Sequence, residues 1–269
     1  MKYVLLNPSG NLTCLVLSPV AEADRPRITG LLMNRCEQVG YLMPSSNPAC
    51  AARLRMMGDE FCGNASMAAA AWLISQHPRY SGEEAELLLE VSGAADPVTC
   101  LVKQESASCW SGRVRMPAVL GSEPCSLGGR TLEAVHLPGM THLIAKDQIF
   151  SPGEAEALLQ EAAALFPDPA AGLIRWKETS MAAGNGIRGE MTPLVYVRES
   201  ATMVWESACG SGTAAAAWLE SLHRKAPLEL TLVQPGGTLT ARTEYVSGKP
   251  GAVWLQGTVH LGVPETLAS

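Results

Sequence analysis

No stretch of this 269-residue chain approaches the roughly 20 consecutive apolar residues needed to span a bilayer. Its opening, Met1-Lys2-Tyr3-Val4-Leu5-Leu6-Asn7-Pro8, has an apolar run far shorter than the core of a secretion signal, and Asn-Pro ends it. The expectation is a cytoplasmic protein. The chain also lacks positive charge: 20 Lys and Arg stand against 26 Asp and Glu, a net charge of −6. Nucleic acids and anionic membranes recruit basic surfaces that displace counterions, so neither is expected as a partner. None of the 8 cysteines forms a Cys-x-x-Cys pair, and the 5 histidines show no His-x-x-x-His or similar spacing. No metal is therefore expected. A disulfide framework belongs to small secreted chains, so reduced thiols are the better reading. What remains is a small polar ligand.

What is present is a repeated motif. Cys62-Gly63-Asn64-Ala65-Ser66-Met67-Ala68-Ala69-Ala70-Ala71-Trp72-Leu73 opens a segment that is apolar on every face from Met67 to Ile74. Cys209-Gly210-Ser211-Gly212-Thr213-Ala214-Ala215-Ala216-Ala217-Trp218-Leu219 repeats its order of cysteine, glycine, small polar residue, small residue, hydroxyl residue and alanine run. Two near-copies imply two similar halves. A helix apolar all round is buried all round, and four alanines make it slim, so a sheet wrapped around a central helix is expected in each half.

The flanking sequence supplies the strands. In the first half, residues 2–6 and 13–17 read as a hairpin joined by Asn7-Pro8-Ser9-Gly10-Asn11. Asp24-Arg25-Pro26 reads as a helix start with Asp24 as cap. Further strands are expected at 37–42, 53–57, 87–91, 98–102 and 112–116, with Pro117 closing the unit. In the second half, strands are expected at 131–137, 141–145, 194–197, 202–205, 228–233 and 238–242. Ser151-Pro152-Gly153-Glu154 carries a capping box for a helix through Leu165, and Gly184-Asn185-Gly186 reads as a hairpin turn. The domains are expected at residues 1–118 and 119–257.

A thiol at a helix N-terminus lies among unpaired backbone N–H groups and the positive end of the dipole, which favours the thiolate. Cys62 and Cys209 are accordingly candidate acid/base groups. A glycine after each cysteine lets a ligand approach the backbone, and the N–H groups of Gly63, Asn64, Gly210 and Ser211 could hold a carboxylate. Two thiols acting on opposite faces of one carbon would invert a stereocentre without a cofactor. The same donors would stabilise the charge developing on the carboxylate. Cys14, Cys36, Cys50, Cys100, Cys109 and Cys125 are read as space-filling.

Glu60-Phe61-Cys62-Gly63-Asn64-Ala65, Ala208-Cys209-Gly210-Ser211-Gly212-Thr213 and Asn7-Pro8-Ser9-Gly10-Asn11 resemble the diaminopimelate epimerase family of pyridoxal-independent amino-acid racemases. The resemblance covers nearly the whole chain. It implies an α/β (α+β) fold of two pseudo-symmetric domains, each a curled, mostly antiparallel sheet around a central helix, with the closing strand at about 258–269 returning to the first domain. It also implies Cys62 and Cys209 as the catalytic pair, Gly63-Asn64 and Gly210-Ser211 as carboxylate holders, and Asn11 as a substrate contact.

Two departures narrow the substrate. Diaminopimelate epimerases usually carry Glu-Arg-Gly-Ala-Gly-Glu-Thr before the second cysteine, whereas Met203-Val204-Trp205-Glu206-Ser207-Ala208 holds no arginine. The usual Asn-Pro-His is replaced by Met140-Thr141-His142. The branch most resembled is the histidine racemases that supply D-histidine for metallophore synthesis. That likeness makes Glu37 and Glu206 candidate contacts for the ammonium or imidazole of the substrate. The expected activity is histidine racemisation, with no cofactor, an amino acid as the small-molecule partner and a second copy of the chain, in a homodimer, as the candidate protein partner. Diaminopimelate epimerisation, another racemisation on the same fold, or a non-catalytic amino-acid binder stay open as alternatives.

Overall fold

The computed structural model describes residues 1–78, 80, 82–181, 186–199 and 201–267. The chain is mixed α/β and divides into two compact units, residues 1–115 together with those from 256 on, and residues 116–255.

In the first unit, β1 (Lys2–Pro8) and β2 (Thr13–Val16) are antiparallel neighbours. Helix α1 (Arg25–Leu32) follows, then β3 (Gln38–Met43), parallel to β2. Strand β4 (Ala52–Met56) lies antiparallel to β3. Helix α2 (Gly63–Ser75) leads to β5 (Ala85–Val91), parallel to β4, and then to the antiparallel β6 (Val98–Gln104) and β7 (Cys109–Arg115).

The second unit repeats this plan. It begins with β8 (Gly121–Leu127) and β9 (Arg130–Leu137), then β10 (Met140–Lys146), which is antiparallel to β9. Helix α3 (Pro152–Leu165) leads to β11 (Ala170–Met181), parallel to β10, and β12 (Gly186–Val197) is antiparallel to β11. A short β13 (Thr202–Trp205) pairs with β12. After helix α4 (Gly210–Arg224) come β14 (Leu228–Gln234), parallel to β12, and the antiparallel β15 (Gly237–Val246). The last strand, β16 (Lys249–Thr266), begins in the second unit and ends in the first, where it pairs antiparallel with β1. Strand by strand, β1–β2–α1–β3–β4–α2–β5–β6 has the same order and pairing sense as β9–β10–α3–β11–β12–α4–β14–β15.

The repeated helices are the centres of their units. Helix α2 packs against β1, β2, β5, β6 and β7, and α4 against β9, β10, β11, β14 and β15. The alanines of both helices are fully buried, because only a methyl-sized side chain lets strands close around a helix from several sides. All-round burial in α2 ends at Trp72; Leu73 and Ile74 are half-buried. Helices α1 and α3 instead cover single faces. Ile28 and Leu32 join Tyr3, Cys14, Val16, Val39 and Tyr41 in one cluster, while Ala155, Leu158, Leu159 and Ala162 pack on the strands of the second unit.

Several sequence expectations are corrected. A 3-10 turn at Glu22–Asp24 precedes α1, and Asp24 makes no side-chain cap there. Strands β8 and β11 had no counterpart in the expected pattern, and β12 begins before the expected 194–197 segment. The expected turn at Gly184-Asn185 lies outside the described residues. The capping box of α3 is present in full: Glu154 N–H donates to Ser151 Oγ at 3.3 Å, and Ser151 N–H to Glu154 Oε2 at 2.8 Å.

Candidate active site

Both motif cysteines occupy the same local position. Cys62 is the N-cap of α2 with φ −130° and ψ 111°, and Cys209 is the N-cap of α4 with φ −118° and ψ 110°. An extended N-cap turns its side chain back over the first helical turn. Each sulfur therefore accepts a backbone N–H at 3.4 Å, from Ala65 and from Gly212 respectively. The hydroxyl four residues on clamps the cysteine carbonyl: Ser66 Oγ donates to Cys62 O at 2.7 Å, and Thr213 Oγ1 to Cys209 O at 2.7 Å. The repeated hydroxyl residue thus fixes the cap rather than reaching the sulfur.

Around Cys62 a polar chain runs through the first unit. Cys62 Sγ donates to Gln38 Oε1 at 3.2 Å, Gln38 Nε2 to Thr13 Oγ1 at 2.7 Å, and Thr13 Oγ1 to Asn11 O at 3.1 Å. Asn11 Nδ2 donates to Glu37 Oε2 at 3.0 Å, while the buried Asn11 Oδ1 has no hydrogen-bond partner. Asn11, Glu37 and Cys62 are thereby brought into one network, with Gln38 and Thr13 as links that had not been anticipated from sequence. Asn64 is buried at the first turn of α2. The approach to Cys62 is held by the turn after β5. Ser92 Oγ donates to Glu60 O at 2.9 Å, and Gly93, at φ +73°, sits so close that a Cβ there would lie 2.3 Å from Phe61 N.

Around Cys209 the partners differ. Its N–H donates to Gln234 Oε1 at 2.8 Å, and Gln234 Nε2 donates to Thr213 Oγ1 at 2.9 Å. Ser211 Oγ lies 3.4 Å from Cys209 Sγ and 2.9 Å from His142 Nε2. Glu206 and Cys209 are joined by a side-chain hydrogen bond. Helix α4 approaches β11 so closely that a Cβ on Gly212 would lie 2.4 Å from Ile174 Cδ1.

The electrostatics of Cys209 oppose the simple expectation from helix position. Burial, followed by the Glu206 charge, pushes its thiol well above the ordinary value, against the Ser211 and Gly212 hydrogen bonds that favour the thiolate. Desolvation outweighs the helix terminus because Cys209 is almost wholly buried. Cys209 therefore holds its proton. His142 is fully buried, and desolvation lowers it to about 3, so it is neutral. Its Nδ1 is buried without a partner, packed on Gly172, where a Cβ would lie 2.2 Å away. A stranded lone pair costs less than a stranded N–H, which places the proton on Nε2, donating to Ser211. Sequence spacing carried no signal for His142 or for the two glutamines, since Gln38 and Gln234 reach their cysteines, and His142 reaches Ser211, from strands distant in the chain.

Among the described residues, no group of three or more His, Cys, Asp or Glu side chains is placed to hold a metal ion, and no helix is long and apolar enough to cross a membrane.

A family model described as the histidine racemase CntK N-terminal domain matches residues 1–264. The chain belongs to this family. A histidine racemase of Staphylococcus aureus is 28% identical over 250 residues, covering 89% of this chain and 87% of that protein. One from Fusobacterium nucleatum is 24% identical over 274 residues, covering 97% of each. Among solved structures, a probable proline racemase from Agrobacterium radiobacter with bound carbonate superposes with a TM-score of 0.69 at 14% identity, covering 99% of this chain and 92% of the other. A hydroxyproline epimerase from Agrobacterium vitis with bound trans-4-hydroxy-L-proline gives a TM-score of 0.66 at 15% identity, covering 99% and 90%. At that identity these two establish likeness of fold.

Proposed function

We propose that this chain is a cofactor-independent histidine racemase in which Cys62 and Cys209 move the protons. The reading is carried by one observation: in a chain of the histidine racemase family, each unit presents a cysteine as the N-cap of a buried helix, clamped by a hydroxyl four residues on. In one direction, the Cys62 thiolate takes the Cα proton and the electron pair passes to the substrate carboxylate. The Cys209 S–H then delivers its proton to the opposite face, leaving the second thiolate. In the other direction the roles exchange. The raised pKa of Cys209 suits it to the acid role.

Without a cofactor as electron sink, the developing charge must be met by the protein. Backbone N–H groups of Gly63, Asn64, Gly210 and Ser211 are assigned to the carboxylate, with Asn11 as a further contact. Glu37 and Glu206 are assigned to the ammonium or imidazole group, and the missing arginine before Cys209 weighs against diaminopimelate. The proposal extends to the two-domain architecture of diaminopimelate epimerases, with domains at residues 1–118, joined by the closing strand, and 119–257. It further places a homodimer in the cytoplasm, supplying D-histidine for metallophore assembly.

Incubation with L-histidine in D2O under reducing conditions should give D-histidine carrying deuterium at Cα. Cys62→Ser and Cys209→Ser should each lower its formation by about 10²–10⁴-fold, the usual contribution of a positioned acid or base. Turnover of diaminopimelate but not histidine would move the same chemistry to that substrate. Histidine binding with neither inversion nor exchange, unaffected by either substitution, would refute an enzyme and leave an amino-acid binder.

A further inference from the structure

Strand β14 turns Leu228, Leu230 and Leu232 into the core around α4, and the next inward position, at the strand's end, is the buried Gln234. In the first unit the matching last position of β5 is Val91, apolar and also buried. An amide at such a position costs desolvation unless both of its ends find partners. Both do. Gln234 Oε1 accepts the Cys209 N–H at 2.8 Å, and Gln234 Nε2 donates to Thr213 Oγ1 at 2.9 Å. Thr213 Oγ1 in turn donates to Cys209 O at 2.7 Å, which closes a ring of hydrogen bonds on the backbone of the cysteine. A backbone N–H only donates, so the amide has one orientation in this ring. The turn that follows docks on the same segment, with Gly236 N–H donating to Ser207 O at 2.8 Å.

We propose that Gln234 is a positioning residue for Cys209, which rests on the racemase reading of this site. In a capping box the N-cap N–H is met by the side chain of the third helical residue, as Glu154 meets Ser151 at the start of α3. In α4 the third residue is Gly212, which has no side chain to offer, and a Cβ there would lie 2.4 Å from Ile174 Cδ1. Gln234 supplies the missing acceptor from a neighbouring strand. With the N–H and C=O of Cys209 both held, the place of Sγ is left to one side-chain torsion, which the 3.4 Å bond from Gly212 N–H secures. Proton delivery to carbon depends on that placement, because a shift of about 1 Å costs about 10²-fold in rate.

The test compares the wild type, Gln234→Met and Gln234→Glu for D-histidine formation from L-histidine between pH 6 and pH 9, with urea unfolding of each protein alongside. Gln234→Met keeps the length of the side chain and removes both hydrogen bonds. Its kcat should fall about 10²-fold with KM little changed, as for a group that acts on the chemical step. Gln234→Glu can make both bonds only while its carboxyl is protonated, with C=O accepting from Cys209 N–H and O–H donating to Thr213 Oγ1. Burial favours that form. The ratio of its kcat to that of the wild type should therefore be highest at pH 6 and fall about tenfold or more towards pH 9, where a carboxylate has no proton to give Thr213. A side chain that merely filled space would leave that ratio flat and make both variants lose activity in step with stability. Wild-type kcat in Gln234→Met, a raised KM at unchanged kcat, or a flat ratio for Gln234→Glu would each overturn the positioning role while the wild type remains a racemase. A wild type that neither inverts nor exchanges histidine would instead overturn the racemase reading, and the positioning role with it.

Discussion

Mild acid should weaken the fold through His142. Burial lowers its pKa to about 3, whereas in the unfolded chain the imidazole returns to about 6.5. Between these values the unfolded state binds a proton that the native state refuses, so stability is complete above about pH 6.5 and falls as pH drops, by up to about 1.4 kcal/mol per pH unit. Between pH 7 and pH 5 the integrated loss from this one group is about 2 kcal/mol. The ring is fully buried, so solvent screening does not reduce the figure. Urea unfolding of the wild type and His142→Gln at pH 7, 6 and 5 isolates the term, because every other titrating group is common to both. The glutamine amide can still donate toward Ser211, as Nε2 does at 2.9 Å. The variant should start less stable, through lost ring packing, but should lose about 2 kcal/mol less than the wild type over this range. Parallel losses in the two proteins would refute a neutral, buried His142.

Two other substitutions test the framework around the cysteines, and a third tests the cap of α3. Gly93→Ala forces a Cβ to within 2.3 Å of Phe61 N at a left-handed φ, and should cost about 2–4 kcal/mol in urea unfolding because backbone must move. Gly172→Ala places a Cβ 2.2 Å from His142 Nδ1. The ring must shift and take Ser211 with it, so D-histidine formation should fall on the order of 10²-fold in a chiral assay. Ser151→Ala removes the capping box of α3, and should cost about 1 kcal/mol of stability while leaving the activity unchanged.

The duplicated cysteine motif was legible as two alanine-rich helices, each opened by a cysteine, because its information is local. An alanine run, a cysteine before glycine and a hydroxyl four residues on occupy one helical turn or the next, and the α3 capping box is equally short-range. Strands with alternating or β-branched residues, such as β6 and β14, were legible for the same reason. β8 escaped notice because Pro124 and its polar neighbours suit an exposed strand paired on one side by β9. β11 runs from a fully buried apolar start into exposed polar residues without alternation, since helices α3 and α4 both pack on it and leave neither face of its start to solvent.

By itself, then, the sequence determined the two-fold plan and the placing of Cys62 and Cys209 as N-caps, since both follow from the order of neighbouring residues. Tertiary structure alone decided the more distant surroundings of each cysteine: Gln38 on the Cys62 sulfur, Gln234 on the Cys209 N–H, and neutral His142 on Ser211. It also reversed the expected acidity of Cys209. The reason is physical: a helix terminus acts over one turn, whereas desolvation depends on everything that closes over the sulfur, most of it distant in the chain.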